Sequence, residues 1–254
     1  MMIGFPNHPR KDICKEITWI GRHGFDFVDI FMEEDRAVPE KINPAKVRAL
    51  LKKYGLHATG HTAWYLPTGS PLKILRDAAV TEAVRYFKVF SKIGVKYVTI
   101  HANWPYGMFS EQEGINFQVE TLRRLVKEAA KLGLTVMYEP IDGSKDNPKN
   151  IAKILKAVPK LMLHLDMGHS NLYGRKPHRM IERFHGRLVH VHLHDNDGTA
   201  DQHRAMGGGN INWKKTVSTL KKYYDGTITL EIFADGKSKV LQSQRRLRKL
   251  WDRL

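Results

Sequence analysis

The 254-residue chain predicts a single (β/α)8 barrel, the TIM-barrel architecture, spanning residues 1–254 as one α/β domain. Three observations predict it. Strand-like apolar runs alternate with segments of helical period eight times along the chain. No Pro/Gly/Ser linker, low-complexity tract or shift in composition interrupts the alternation. Finally, six acidic or imidazole residues stand where the strand-like runs end: His61, His101, Glu139, Asp166, His192 and Glu231. Neighbours in that series are 26 to 40 residues apart, about one strand, one helix and their loops. A closed parallel sheet brings all strand C-termini to one mouth, so an active site is expected there.

The elements follow in order. MMIGF is the first strand, and Ile13, Ile17 and Ile20 mark one face of the first helix, with Gly24 past its end. FDFVDIF is the second strand. Asn43 and Pro44 supply the N-cap and first-turn proline of the second helix, which Gly55 stops. HATGH is the third strand, followed by a helix near 78–93 with Val80, Val84, Phe87 and Phe90 and a stop at Gly94. YVTIH precedes a helix near 115–132 carrying Leu122, Leu125, Ala129 and Leu132, stopped by Gly133. TVMYE is the fifth strand; Ile151, Ile154, Leu155 and Val158 mark its helix. LMLHLD, a short helix near 177–185, LVHVH, and a helix with Trp213, Val217 and Leu220 come next. TITLE and the basic segment QRRLRKLWDRL, with Leu247, Leu250, Trp251 and Leu254 at helical spacing, complete eight units. Eight units favour a barrel over a doubly wound sheet.

Composition narrows the class. No run approaches the roughly 18 apolar residues of a membrane helix. MMIGFPNHPRKD holds no apolar segment of signal-peptide length, and the one cysteine, Cys14, fits a reducing compartment, so a cytoplasmic location is expected. Lysine and arginine number 42 against 26 acids, a net charge of +16 that can attract nucleic acid or phosphorylated small molecules. The basic residues are spread along the chain, the last helix being the dense exception. A homo-oligomer is compatible with the chain.

Carboxylates and imidazoles together suit a borderline divalent ion such as Zn²⁺ or Mn²⁺. Glu139, Asp166, His192 and Glu231 end the fifth to eighth strands, which neighbour one another in a barrel, and form the primary candidate ligand set. His61, His101, His169, Asp201 and His203 are further candidates, as ligands or as substrate contacts. The nine together would suffice for two or three ions. His190, His192 and His194 alternate and share one strand face; His192 is the expected mouth residue, with His194 the second choice. His164 shares a face with Asp166 but lies deeper, where a hydrogen-bonded core histidine is expected. Gly207, Gly208 and Gly209 allow a tight turn or a close approach to phosphate. Arg204, in the same loop, is the candidate for holding an anionic substrate.

With these residues in hand, the chain resembles the xylose-isomerase-like TIM-barrel superfamily over nearly its whole length. HVHLHDNDGTADQHRAMGGGNINW, followed by GTITLEIF, carries the likeness most specifically. The superfamily contains sugar and sugar-phosphate isomerases and epimerases and the apurinic/apyrimidinic endonucleases of the endonuclease IV type. The isomerase branch implies Glu139, Asp166, His192 and Glu231 as metal ligands, with Glu139 and Glu231 also the acid/base pair. The nuclease branch uses nine ligands around three zinc ions, and all nine candidates match its order. Departures from that branch are IGFPNHP, which lacks a histidine-containing first-strand motif, FVDIFMEE, which ends in acids, and YEPID, which lacks the polar continuation. Many isomerase-like relatives also keep the extra histidines. The expected function is therefore a divalent-metal-dependent sugar or sugar-phosphate isomerase or epimerase. The alternative is zinc-dependent cleavage of DNA at abasic sites.

Overall fold

The computed structural model describes residues 1–141 and 143–254; Asp142, which closes the YEPID run, lies outside the described residues. Eight strands close into one parallel barrel in chain order: β1 Met2–Pro6, β2 Phe27–Met32, β3 His57–Thr62, β4 Tyr97–His101, β5 Thr135–Glu139, β6 Met162–Asp166, β7 Leu188–Leu193 and β8 Thr227–Leu230. The helices around it are α1 Ile13–Arg22, α2 Pro44–Tyr54, α3 Lys73–Ile93, α4 Glu111–Lys131, α5 Pro148–Ala157, α6 Pro177–Phe184, α7 Trp213–Tyr223 and α8 Gly236–Arg253. Among the described residues no helix is long and apolar enough to cross a membrane.

Local chemistry sets the helix ends. Asn43 accepts from the Lys46 amide with Pro44 in the first turn, and Gly55 closes α2 in the left-handed region. Two helices begin earlier than their apolar period suggests. α4 starts at a capping box in which Ser110 and Glu113 satisfy each other's amides. α3 starts at Lys73, but Ile74 is exposed, so the helix's first turn carries no buried stripe.

Apolar packing fills the layer between strands and helices, with Ile17, Val47, Phe87, Phe90, Leu125, Ile154, Val217 and Leu247 buried there. Burying each such side chain contributes about 1.5–3 kcal/mol. The barrel interior is different. Barrel lumens are commonly packed with branched aliphatics, but here Asp29, Thr59, Thr99, His164, His190, His192 and Thr229 are buried and hydrogen-bonded across strands. The polar stack starts inside the barrel and opens at the strand C-termini.

Candidate active site

Register places the strand-end residues side by side. His101 pairs with Glu139, and Asp166 with His192, across adjacent strands. Glu139 lies at the centre. Its Oε2 is 3.1 Å from His101 Nε2, 3.2 Å from His164 Nδ1 and 3.3 Å from His61 Nε2, and its Oε1 is 3.6 Å from His192 Nδ1. Glu231 reaches the same imidazole from the other side, with Oε2 3.2 Å from His192 Nδ1. The ligand atoms of Glu139, Asp166 and His192 fall within 4.8 Å of one another, as do those of Asp166, His194 and Glu231.

Two further groups flank this one. His61 and His101 converge on Glu139, and His169, His194, Asp201 and His203 form a second cluster towards β7. Asp201 lies 2.8 Å from His203 Nε2, 3.3 Å from His194 Nε2 and 3.5 Å from His169 Nε2. His203 is held in the left-handed region at φ 45°, a conformation costing on the order of 1–3 kcal/mol for a non-glycine residue. Its carbonyl accepts from the Phe233 and Ala234 amides, which pins the loop to the end of β8. Gly168 is required beside it, because a Cβ there would lie 1.8 Å from the His194 ring.

The donor chemistry fits a divalent cation. His192 presents its Nε2 to Asp29 Oδ2 at 2.8 Å. An ionised carboxylate only accepts, so Nε2 carries the proton and Nδ1 turns towards Glu139 and Glu231. Between two carboxylates, Nδ1 calls for a positive charge, which a proton supplies in the metal-free protein and a cation can supply in its place. Asp166 Oδ2 and Asp201 Oδ1 are buried without hydrogen-bond partners. Glu139, Asp166, His192 and Glu231 are the residues that would hold the ion.

Four residues at the candidate site are missed, or ranked second, by a reading of the sequence confined to strand ends. Asp29, fully buried, accepts from Thr59 and Thr229 and holds both His190 and His192. Phe31 stacks on His61 with centroids 4.0 Å apart, and Glu33 lines the mouth. The period of two in FDFVDIFMEE places Asp29, Phe31 and Glu33 on one face and was the available signal. His194 is the fourth. It joins the cluster around Asp201 while His192 faces Glu139 and Glu231, so the two serve different groups. His164 contacts Thr99 and Glu139 two residues below Asp166 on the same strand face.

Arg204 does not line the cavity. Its backbone bridges Asp195, and its guanidinium bonds the Gly208 carbonyl and lies 3.6 Å from Asp197. The glycine-rich loop folds as a turn around buried Asp195, which accepts from Gly207 N, Ile211 N and Trp213 Nε1. The cavity over the site is about 370 Å³, with Phe31, Trp64, Ile141 and Phe233 as apolar walls and Glu33, His61, His101, His169, Asp201, His203 and Glu231 as polar ones.

The site's charges depend on one another. Burial would lower the His192 imidazole, but the charges of Glu231 and Glu139 outweigh it and hold it well above the usual histidine value. Burial likewise opposes protonated His203, yet Glu231 and Asp201 raise it to about 9. Burial would raise Glu231, but His192 and His203 bring it down to about 2. In the metal-free protein these ion pairs stabilise the fold in a defined window. The His203 contribution is complete below its unfolded value of 6.5 and is lost as pH rises through about 9. That of Glu231 is complete above 4.5 and is lost as pH falls through about 2. Melting temperatures of metal-free protein should therefore fall as pH rises from 6.5 through about 9. Saturating Zn²⁺ should remove most of that fall, since a bound cation replaces the imidazolium protons. Equal alkaline losses with and without metal would contradict it.

A family model described as xylose isomerase-like TIM barrel matches residues 17–250. The uncharacterized protein MJ1311 of Methanocaldococcus jannaschii is 26% identical over 242 residues, covering 87% of this chain and 79% of that protein. A solved D-tagatose 3-epimerase-like protein superposes with TM-score 0.89 at 22% identity, over 99% of this chain and 97% of the other. The apo 3-keto-D-glucoside 4-epimerase YcjR from E. coli superposes with TM-score 0.79 at 20% identity, over 98% and 99%. At these identities the superpositions show a shared fold.

Proposed function

The chain belongs to the xylose isomerase-like TIM-barrel family, and from that premise we propose that it is a divalent-metal-dependent isomerase or epimerase of a small sugar. One observation carries the reading. Glu139 and Glu231 meet at His192 beneath a cavity of about 370 Å³ with apolar and polar walls, a size suited to a small ligand. Two solved proteins of the same fold are named for sugar epimerases or likened to one, which supports the same reaction class.

Glu139, Asp166, His192 and Glu231 would hold the ion, Zn²⁺ or Mn²⁺ by donor type. Once bound, it would polarise the substrate carbonyl and acidify the neighbouring C–H. Glu139 and Glu231 then move the proton: one carboxylate takes it from carbon and the other returns it. Return to the opposite face of the same carbon gives an epimer, and return to the neighbouring carbon, with the hydroxyl proton passing to the former carbonyl oxygen, gives an isomer. His61, His101, His169 and His203 face or border the cavity and orient the hydroxyls.

A second reading, metal-dependent incision of DNA at abasic sites, is favoured by the two flanking ligand groups, His61/His101/Glu139 and His169/His194/Asp201/His203. Parallel assays separate the two. Mn²⁺- or Zn²⁺-loaded protein should exchange a C–H of at least one ketose in D₂O and leave an abasic duplex intact. Its binding to DNA should be weak and fall steeply with salt. Efficient incision at the lesion, with no exchange across a ketose panel, would reverse the assignment.

A further inference from the structure

We propose that the site accepts an uncharged sugar and discriminates against its phosphate, with Glu33 as a specificity-determining residue. This deepens the isomerase reading and rests on it. The chain carries 42 lysines and arginines, yet none is among the residues lining the cavity. Its polar wall instead holds three acidic side chains, Glu33, Asp201 and Glu231. Glu231 and Asp201 are already paired with His192, His203 and His169. No such ion pair engages Glu33 among the described residues, and it contributes a carboxyl group to the wall facing the cavity.

Three basic residues near the mouth are engaged with other groups. Arg204 bonds Gly208 and lies by Asp197, Arg175 bonds the carbonyls of Gly143, Asp146 and His169, and Lys145 bonds that of Pro105. Arg10 and Arg36 are exposed in the loops after β1 and β2. Barrel enzymes often bind phosphate with loop amides after the last strands. Here the glycine-rich loop after β7 gives two of its amides, Gly207 and Ile211, to the buried carboxylate of Asp195, and Asn210 N to the Asn196 carbonyl. These amides are thus taken up by a side chain of the protein itself. Trp64, Phe31, Ile141 and Phe233 complete a wall suited to the C–H face of a neutral sugar.

The test uses the Mn²⁺-loaded full chain, as wild type, Glu33→Gln and Glu33→Lys, with ketoses offered beside their terminal phosphates. Proton exchange is measured for each pair, and binding is followed by tryptophan fluorescence with Trp64→Phe as control. Wild type should favour the neutral sugar at least 100-fold in kcat/KM. Glu33→Lys should narrow that ratio tenfold or more by lowering KM for the phosphate, with Glu33→Gln in between. A wild type that prefers the phosphate would overturn the proposal while leaving the isomerase reading intact. A ratio unmoved by Glu33→Lys, in a variant that melts like wild type, would remove Glu33 from it. Exchange of neither member would count against the isomerase reading, and the binding titrations would still decide. Tighter binding of the neutral sugar upholds the selectivity; tighter binding of the phosphate, or no binding of the sugar, overturns it.

Discussion

Glu231→Gln is expected to lower the rate of sugar C–H exchange at least 100-fold, and Glu139→Gln to do the same. A positioned general acid or base contributes typically about 10²–10⁴-fold. Glutamine keeps the shape of each side chain but cannot take up a proton. The two positions differ in a way that measurement can use. Glu231 lines the cavity, whereas Glu139 sits behind it among His61, His101, His164 and His192. Burial would raise the Glu139 carboxyl, but His164, His101 and His192 hold it well below the usual range, so it is an anion at neutral pH. Its loss should therefore disturb metal content more than that of Glu231. Elemental analysis beside the exchange assay separates the contributions. A Glu231→Gln variant that keeps full metal and exchanges within tenfold of wild type would remove this residue from proton transfer.

The legible and illegible parts of the site divide along one physical line. Strand-end residues were readable because closure of a parallel barrel brings every strand C-terminus to the same mouth. Asp29 was not read, because a carboxylate in mid-strand looks like any polar residue until its cross-barrel partners are known. It meets His192 from 163 positions away and Thr229 from 200. His194 was underrated for a related reason: strand period predicts its face, but the loop that brings Asp201 to it has no period. For Arg204, position in a mouth loop did not determine where the side chain points. The backbone bridge to Asp195 turns it towards Gly208 and Asp197. The helix starts at Lys73 and Glu111 preceded the apolar stripes because initial turns need caps or none at all, not core contacts.

Asp29→Ala should lower affinity for the divalent ion by about 10–100-fold, the usual cost of removing a carboxylate that orients a metal-binding histidine. It should also destabilise the protein by about 3–5 kcal/mol, because a buried charged partner of two imidazoles is lost. Burial would raise the Asp29 carboxyl, but the hydrogen bonds from His190 and His192 outweigh it, so the side chain is an anion and accepts only. Its Oδ2 receives His192 at 2.8 Å, Thr229 at 3.0 Å and His190 at 3.3 Å, while Oδ1 takes the Thr59 hydroxyl at 2.8 Å. Asp29→Asn separates charge from packing. Its amide oxygen can take the Oδ2 position and its NH₂ can donate to a rotated Thr59 hydroxyl, so stability should fall less than in the alanine variant. The amide oxygen still accepts from His192 Nε2–H, but the negative charge that made Nδ1 a stronger ligand is gone. Metal affinity, read by chelator competition, should fall in both variants. Unchanged affinity in both variants would reduce Asp29 to a packing residue and leave the orientation of His192 to Glu139 and Glu231.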